Sequence, residues 1–214
     1  MAGILIDFEG IDASGKSTQA RLLAGKLKEE GKSVVLTKEP FMELPALATI
    51  LAGAQAITGF KDDDALLTMQ KHALAPQTDV FLFAADRAEH VNKVISPSIA
   101  EGKIVITDRY YPSSIVYQSI FGGLPEEWIR QVNSFAPVPE AIVLIDIDAG
   151  KAMERVAGEK RRLARFDVLE KQEKIRGAYL RLAEKEKWVV VGGESSVEEV
   201  HEKIVAALKE RKLI

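Results

Sequence analysis

The sequence carries near its start a run whose residue types and spacing suit the handling of a polyphosphate. Gly10-Ile11-Asp12-Ala13-Ser14-Gly15-Lys16-Ser17 fits the pattern Gly-x-x-x-x-Gly-Lys-Ser/Thr. The glycines let backbone N–H groups turn inward around an anion. A helix starting there adds unpaired donors and the positive end of its dipole. Lys16 can reach the β- and γ-phosphates of a nucleoside triphosphate, and the Ser17 hydroxyl can bind Mg²⁺. Gly10 through Thr18 is therefore the candidate ATP-binding segment. Such a loop leaves the phosphate acceptor open, because GTPases, ATPases and small-molecule kinases all use it.

Three further clusters add chemistry. Asp108-Arg109 directly follows the apolar run Ile104–Thr107. An Asp at the carboxyl end of a strand can hold Mg²⁺ directly or through water, and an adjacent arginine can span phosphates with its planar fork. The plain alternative is a solvated strand end. Phe83 and Arg87 stand four residues apart, so on a helix they share one face, where a ring and a guanidinium can hold a flat base. The competing reading makes Phe83 core and Arg87 a surface ion-pair partner of Glu89 or Asp86. Last, Lys160, Arg161, Arg162 and Arg165 place four cations within six residues. Alone, a basic run reads as a solvated face or a weak polyanion patch.

The elements that must position these residues are legible as pattern. Ile4–Phe8, Val34–Thr37, Ile104–Thr107, Ile142–Ile145 and Trp188–Val191 are short, apolar and rich in β-branched residues, as expected for parallel strands covered on both faces. Helical patterns separate them over Ser17–Glu30, Thr78–Glu101, Asp167–Lys187 and Ser196–Lys212, with Gly31 and Gly102 closing the first two. Ser195 or Ser196 caps the last. The uncharged stretch Leu44–Phe60 reads as a helix and loop over the core. Strands alternating with helices give a doubly wound sheet with ligands at the carboxyl ends of its strands. The long connection between Thr37 and Ile104 reads as a functional insertion.

Composition bounds the rest. The 214 residues suit one α/β domain with a buried core. A formal charge of −3 gives no global field toward nucleic acid or membrane. There is no cysteine, which excludes disulfides and thiolate metal sites and fits a cytoplasmic location. Met1–Asp7 has no basic start and meets a carboxylate early, unlike a secretory signal. Leu44–Phe60 is too short and interrupted to span a membrane. His72, His90 and His201 show no ligand spacing.

Phe8-Glu9-Gly10-Ile11-Asp12, then Phe83-Ala84-Ala85-Asp86-Arg87-Ala88-Glu89-His90, then Asp108-Arg109-Tyr110, together with Lys38-Glu39-Pro40, resemble thymidylate kinases in order and spacing over essentially the whole chain. The resemblance implies a three-layer α/β/α P-loop kinase fold with a five-stranded parallel sheet in the order 2-3-1-4-5. It implies one domain over residues 1–214, with an acceptor-binding insertion at about 38–100 and a lid at about 150–166. The implied reaction is ATP + dTMP → ADP + dTDP with Mg²⁺, in a homodimer. Among matched positions, Asp12 accepts from the sugar 3′-hydroxyl, Phe83 stacks on the base and Arg87 donates to its carbonyl O4. Arg109 contacts the acceptor phosphate, Ser114 lies near the base edge, and Tyr117 disfavours a 2′-hydroxyl. Ser17 and Asp108 hold the metal.

One family variant has an arginine directly after the phosphate-loop Asp. Here that position is Ala13, so the resemblance implies that lid arginines supply the charge. Arg155, Arg161, Arg162 and Arg165 are the candidates, with Arg161 and Arg165 spaced for one helical face. Two departures stand out. Lys38 replaces a common arginine, and Phe41-Met42-Glu43 replaces a segment that usually continues with two glycines. Glu39 is open between a Mg²⁺ role, orientation of Arg109 and a structural salt bridge. No general base is evident and none is required, because the acceptor phosphate is already anionic and positioning dominates. Two alternatives stay open: a kinase for another acceptor such as dUMP, UMP or a nucleoside, and a non-catalytic ATP-binding interaction protein.

Overall fold

The computed structural model describes residues 3–42, 75–156 and 165–214. The expected helix and loop over 44–60 lies outside them, as does the insertion between 43 and 74. The chain forms two compact units: Met1–Thr37 with Ser98–Asp108 and Val138–Ile214, and Lys38–Pro97 with Arg109–Pro137.

The first unit is built on a parallel sheet of β1 (Ile4–Glu9), β2 (Val34–Lys38), β3 (Ile104–Asp108), β4 (Ala141–Asp146) and β5 (Val189–Gly192), in the order β2-β3-β1-β4-β5. The expected order is borne out. Register pairs Phe8 with Asp108 and with Val143, so β1 lies between β3 and β4. The central strands are buried nearly throughout. The edge strands are not: β5 alternates buried and exposed, leaving Val190 outside, and β2 is nowhere fully buried. An edge strand has a neighbour on one side only, so a uniformly apolar run does not guarantee cover on both faces.

Helices α1 (Lys16–Glu29) and α8 (Val197–Glu210) pack on one face of the sheet. There Leu23, Leu27, Ile204 and Leu208 meet Ile6, Phe8, Ile106, Val143 and Val191. Strand alternation sends Glu9 to the opposite face, where it accepts from Tyr179 of α7 (Arg165–Glu186). Helix, sheet and helix are thus the three layers. Gly31 and Gly102 both adopt the left-handed conformation that ends a helix. Ser196 caps α8, its Oγ accepting from Glu199 N at 3.2 Å. A shorter helix, α6 (Ala149–Val156), follows β4.

The second unit contains α2 (Pro76–His90), α4 (Tyr111–Gly122) and α5 (Glu126–Val132), with α2 packing on both others. The single helix expected over Thr78–Glu101 is instead α2, a π-helical stretch Val91–Ile95, and α3 (Ser96–Ala100). Pro97 has no N–H and its ring crowds the preceding turn, so a straight α-helix cannot run through it; the wider π turn just before it absorbs the break.

Candidate active site

The phosphate loop leaves β1 and enters α1 through backbone that most residues avoid. Gly10 has φ 147°, and a Cβ there would lie 2.7 Å from the Ile145 carbonyl oxygen. Gly15, at φ 103°, is the N-cap of α1. Ala13 is left-handed at φ 59° without being glycine, which costs about 1–2 kcal/mol; strain of this kind collects at functional loops. The first turn of α1 carries no acid, and its last turn carries Lys26 and Lys28. The positive end of the helix dipole is therefore left for an anion.

Within the loop Lys16 is buried, its Nζ donating to Ile11 O at 3.1 Å and lying 3.9 Å from Asp12 Oδ1. Ser17 Oγ donates to Asp108 Oδ2, joining the start of α1 to the end of β3. The other oxygen, Asp108 Oδ1, is buried and accepts from nothing among the described residues. A carboxylate oxygen beside a serine hydroxyl, with one acceptor site unmet, fits a hard divalent cation or its bound water. Among the described residues no group of three or more acidic or histidine side chains forms a metal cluster.

A cavity of about 460 Å³ opens at this loop, lined by Gly15, Lys16, Thr18, Arg155, Gly193 and Ser195 among others. Arg155 closes one side of it. Its Nη2 donates to Gly193 O at 2.7 Å, and Nη1 reaches Ala13 O and Ser14 O at 3.3 and 3.4 Å. This expected lid arginine therefore ties the loop after β5 to the phosphate loop through carbonyls. Arg161 and Arg162 lie outside the described residues. Arg165 opens α7, and its side chain lies outside them too. Helix α7 contributes three polar residues that no motif flagged. Gln172 Nε2 donates to Asp12 Oδ2 at 3.4 Å, Arg176 grips Asp146 through two bonds of 2.6 and 2.9 Å, and Tyr179 donates to Glu9 at 2.7 Å. Their spacing of four and three residues puts them on one helix face, the only sequence signal they carry.

The second unit brings the expected acceptor residues together in two groups. Arg87 is 3% exposed, and its Nη2 donates to Ser114 Oγ at 3.1 Å. Arg109 donates to Ser113 Oγ at 3.1 Å and stands over the Tyr117 ring, 5.4 Å from its centroid. Arg109 has φ 72°, a second left-handed non-glycine at an expected site position. Phe83, one turn before Arg87, is buried. The surface-pair alternative for Arg87 fails: Glu89 pairs with Lys93 at 2.9 Å, while Arg87 pairs with Glu39 at 2.6 Å in the interior.

Sequence reasoning did not anticipate how the segment after β2 is held. Among the described residues Glu39 pairs with Arg87 and His90. Asp86 accepts from the backbone N–H groups of Phe41 and Met42 at 2.5 and 2.9 Å. Burial pushes the Asp86 carboxyl above its ordinary range, against those two donors. The Phe41 ring stacks on His90 with centroids 4.6 Å apart. Met42 has φ 66°, so the backbone takes a glycine-type conformation even though glycine is missing.

A parallel sheet in this order, a phosphate loop after β1 and a serine–aspartate pair joining that loop to β3 define a P-loop kinase. The thymidylate kinase family model matches residues 8–44 and 57–204. "Probable thymidylate kinase" of Pyrococcus abyssi is 44% identical over 98% of this chain and 97% of its own. Thymidylate kinase of Pelobacter propionicus is 35% identical over 99% and 96%. The crystal structure of thymidylate kinase from Ehrlichia chaffeensis superposes with a TM-score of 0.66 at 27% identity, covering 97% of this chain and 99% of that one. The chain belongs to the thymidylate kinase family.

Proposed function

We propose that this protein transfers the γ-phosphoryl group of ATP to dTMP, giving ADP and dTDP. The observation that carries the reading is the Arg87–Ser114 pair: two polar groups, both buried, on helices that also carry Phe83 and Tyr117. A buried arginine with a neighbouring hydroxyl favours a base that presents a carbonyl, and disfavours one that presents an amino group. A phosphate oxygen of dTMP attacks the γ-phosphorus in line, and the bond from that phosphorus to the β-phosphate oxygen breaks. Lys16 neutralises charge on the β- and γ-phosphates and Arg109 on the acceptor phosphate, with lid arginines Arg161 and Arg165 completing the set. Asp12 accepts from the sugar 3′-hydroxyl while Gln172 holds its far oxygen. Ser17 and Asp108 would hold Mg²⁺, which would supply charge neutralisation when bound.

The same reading makes the protein a cytoplasmic homodimer. Phe81, 55% exposed and edge-on to Trp128, is apolar surface that a dimer would cover. Among the described residues no helix is long and apolar enough to cross a membrane. An assay coupling ADP release to NADH oxidation, run with dTMP, dUMP, UMP and dCMP, tests the acceptor. The reading expects dTMP to give the highest kcat/KM; a higher value for a ribonucleotide or for dCMP would overturn it.

A further inference from the structure

Arg87 has five N–H groups in a rigid fork. Nε donates to Glu39 Oε2 at 2.8 Å. Nη2 lies 2.6 Å from that same oxygen and donates to Ser114 Oγ at 3.1 Å. Nη1 donates to Asn133 Oδ1 at 2.5 Å. Among the described residues four of the five donors are engaged, and the one left over is on Nη1. Ser114 accepts from Arg87, and its own proton donates to no described residue. Among the described residues two donors thus remain unspent, the second Nη1–H of Arg87 and the Ser114 O–H.

The fork is held from two sides by buried residues. Glu39 grips the Nε–Nη2 edge, and its second oxygen stands 3.1 Å from His90 Nδ1. A carboxylate only accepts, so that nitrogen carries the proton. His90 is wholly buried and stacked under Phe41, which fixes the far side of the carboxylate. Asn133, at the end of α5, turns its oxygen to Arg87 because Arg87 offers only donors, and its Nδ2 donates to Ile129 O at 2.8 Å. The Arg87 Cζ lies 5.7 Å from the Tyr110 ring centroid, a further contact on the group.

We propose that Glu39 and Asn133 are positioning residues for acceptor selectivity. Between them they fix the Arg87 guanidinium so that one Nη1–H and the Ser114 hydroxyl proton remain to meet a base carbonyl. A 4-oxo pyrimidine offers an acceptor there. A 4-amino pyrimidine brings a donor to the Arg87 Nη1–H, which cannot accept, and leaves that buried donor unpaired, the kind of mismatch that discriminates most strongly. The proposal rests on Arg87 reading the base. Loosening either clamp lets the fork rotate, and small misplacements of a positioning group are costly.

The test is a mutant cycle read in KM for dTMP, KM for ATP, kcat, and the dTMP/dCMP ratio of kcat/KM. Glu39→Gln and Asn133→Ala are each expected to raise KM for dTMP about tenfold and to lower the dTMP/dCMP ratio, with KM for ATP within about twofold. Placed on an Arg87→Ala background, both effects should vanish, because Glu39 and Asn133 act only through Arg87. An effect that persists on that background, or falls equally on ATP, would assign them a merely structural role and overturn the proposal. So would unchanged KM for dTMP in both variants while Arg87→Ala alone raises it. If Arg87→Ala itself leaves KM for dTMP unchanged, the base-reading role of Arg87 falls first, and the proposal with it. Asn133→Ala keeps the cycle decisive should Glu39→Gln fail to fold, since it removes no charge.

Discussion

Replacing Arg87 with alanine should separate acceptor binding from ATP binding and cost stability at the same time. Arg87 is almost wholly buried and bonded to Glu39, Ser114 and Asn133. Truncation leaves the Glu39 carboxylate in the interior with His90 as its remaining partner. Breaking a buried ion pair by removing one partner costs about 3–5 kcal/mol. His90 still donates to one oxygen, so the lower end, about 3 kcal/mol, is the expectation. In a chain of this size that is a fall in Tm of roughly 10 °C. Loss of one hydrogen bond from a charged donor to the base carbonyl should weaken dTMP binding about 10- to 100-fold. Every partner of Arg87 belongs to the second unit, whereas the phosphate loop belongs to the first, so ATP binding should change by less than about twofold. Calorimetric titration of dTMP and of a non-hydrolysable ATP analogue below the lowered Tm, with a melting curve, reads all three quantities. Adding Glu39→Gln removes the stranded charge and should return most of the lost stability. Equal loss of both ligands would refute base recognition by Arg87. An unchanged Tm would refute the buried pair as a source of stability.

Three other expectations follow from single residues. Asp79, in the first turn of α2, is half-buried with one oxygen lacking a partner among the described residues, and burial pushes its carboxyl up to about 6. A carboxyl raised in the folded state contributes stability below its unfolded value near 4 and loses it as pH rises through 6. Asp79→Asn should therefore gain about 1 kcal/mol at pH 8, after allowance for solvent screening, and nothing at pH 4; urea titrations at both pH values measure it, and a gain largest at pH 4 would contradict the sign. Met42→Gly should leave stability unchanged or raise it by up to about 1 kcal/mol, since φ 66° suits glycine; Met42→Val should lower it in the same urea assay. Arg155→Ala releases the carbonyls of Ala13, Ser14 and Gly193 and should raise KM for ATP about tenfold with KM for dTMP unchanged.

Local signals were the readable ones. The phosphate loop could be recognised because strand, turn and helix N-terminus are contiguous, and five strands could be recognised because each is a short apolar run. The sheet order came from resemblance, since no single strand states its neighbour. Phe83 and Arg87 were legible as a pair through helical spacing, and the structure adds Ser114 to Arg87. The clamp on Arg87 was not legible: Glu39 lies 48 positions away and Asn133 lies 46 positions away, and neither has a local pattern that requires the other. Arg155 was legible as a cation but not as a donor to carbonyls, because backbone acceptors leave no mark in sequence. Met42 is a departure from the family pattern, and its N–H donates to Asp86 in a left-handed turn of the kind glycine favours.

Phosphoryl transfer from ATP to thymidylate can be followed atom by atom. Incubation with γ-labelled ATP and dTMP, followed by separation of the products, tests it most directly. The label is expected in dTDP, in amount equal to the ADP formed, and Lys16→Ala should abolish the transfer. Label found only in inorganic phosphate, or in a product formed without dTMP, would contradict it.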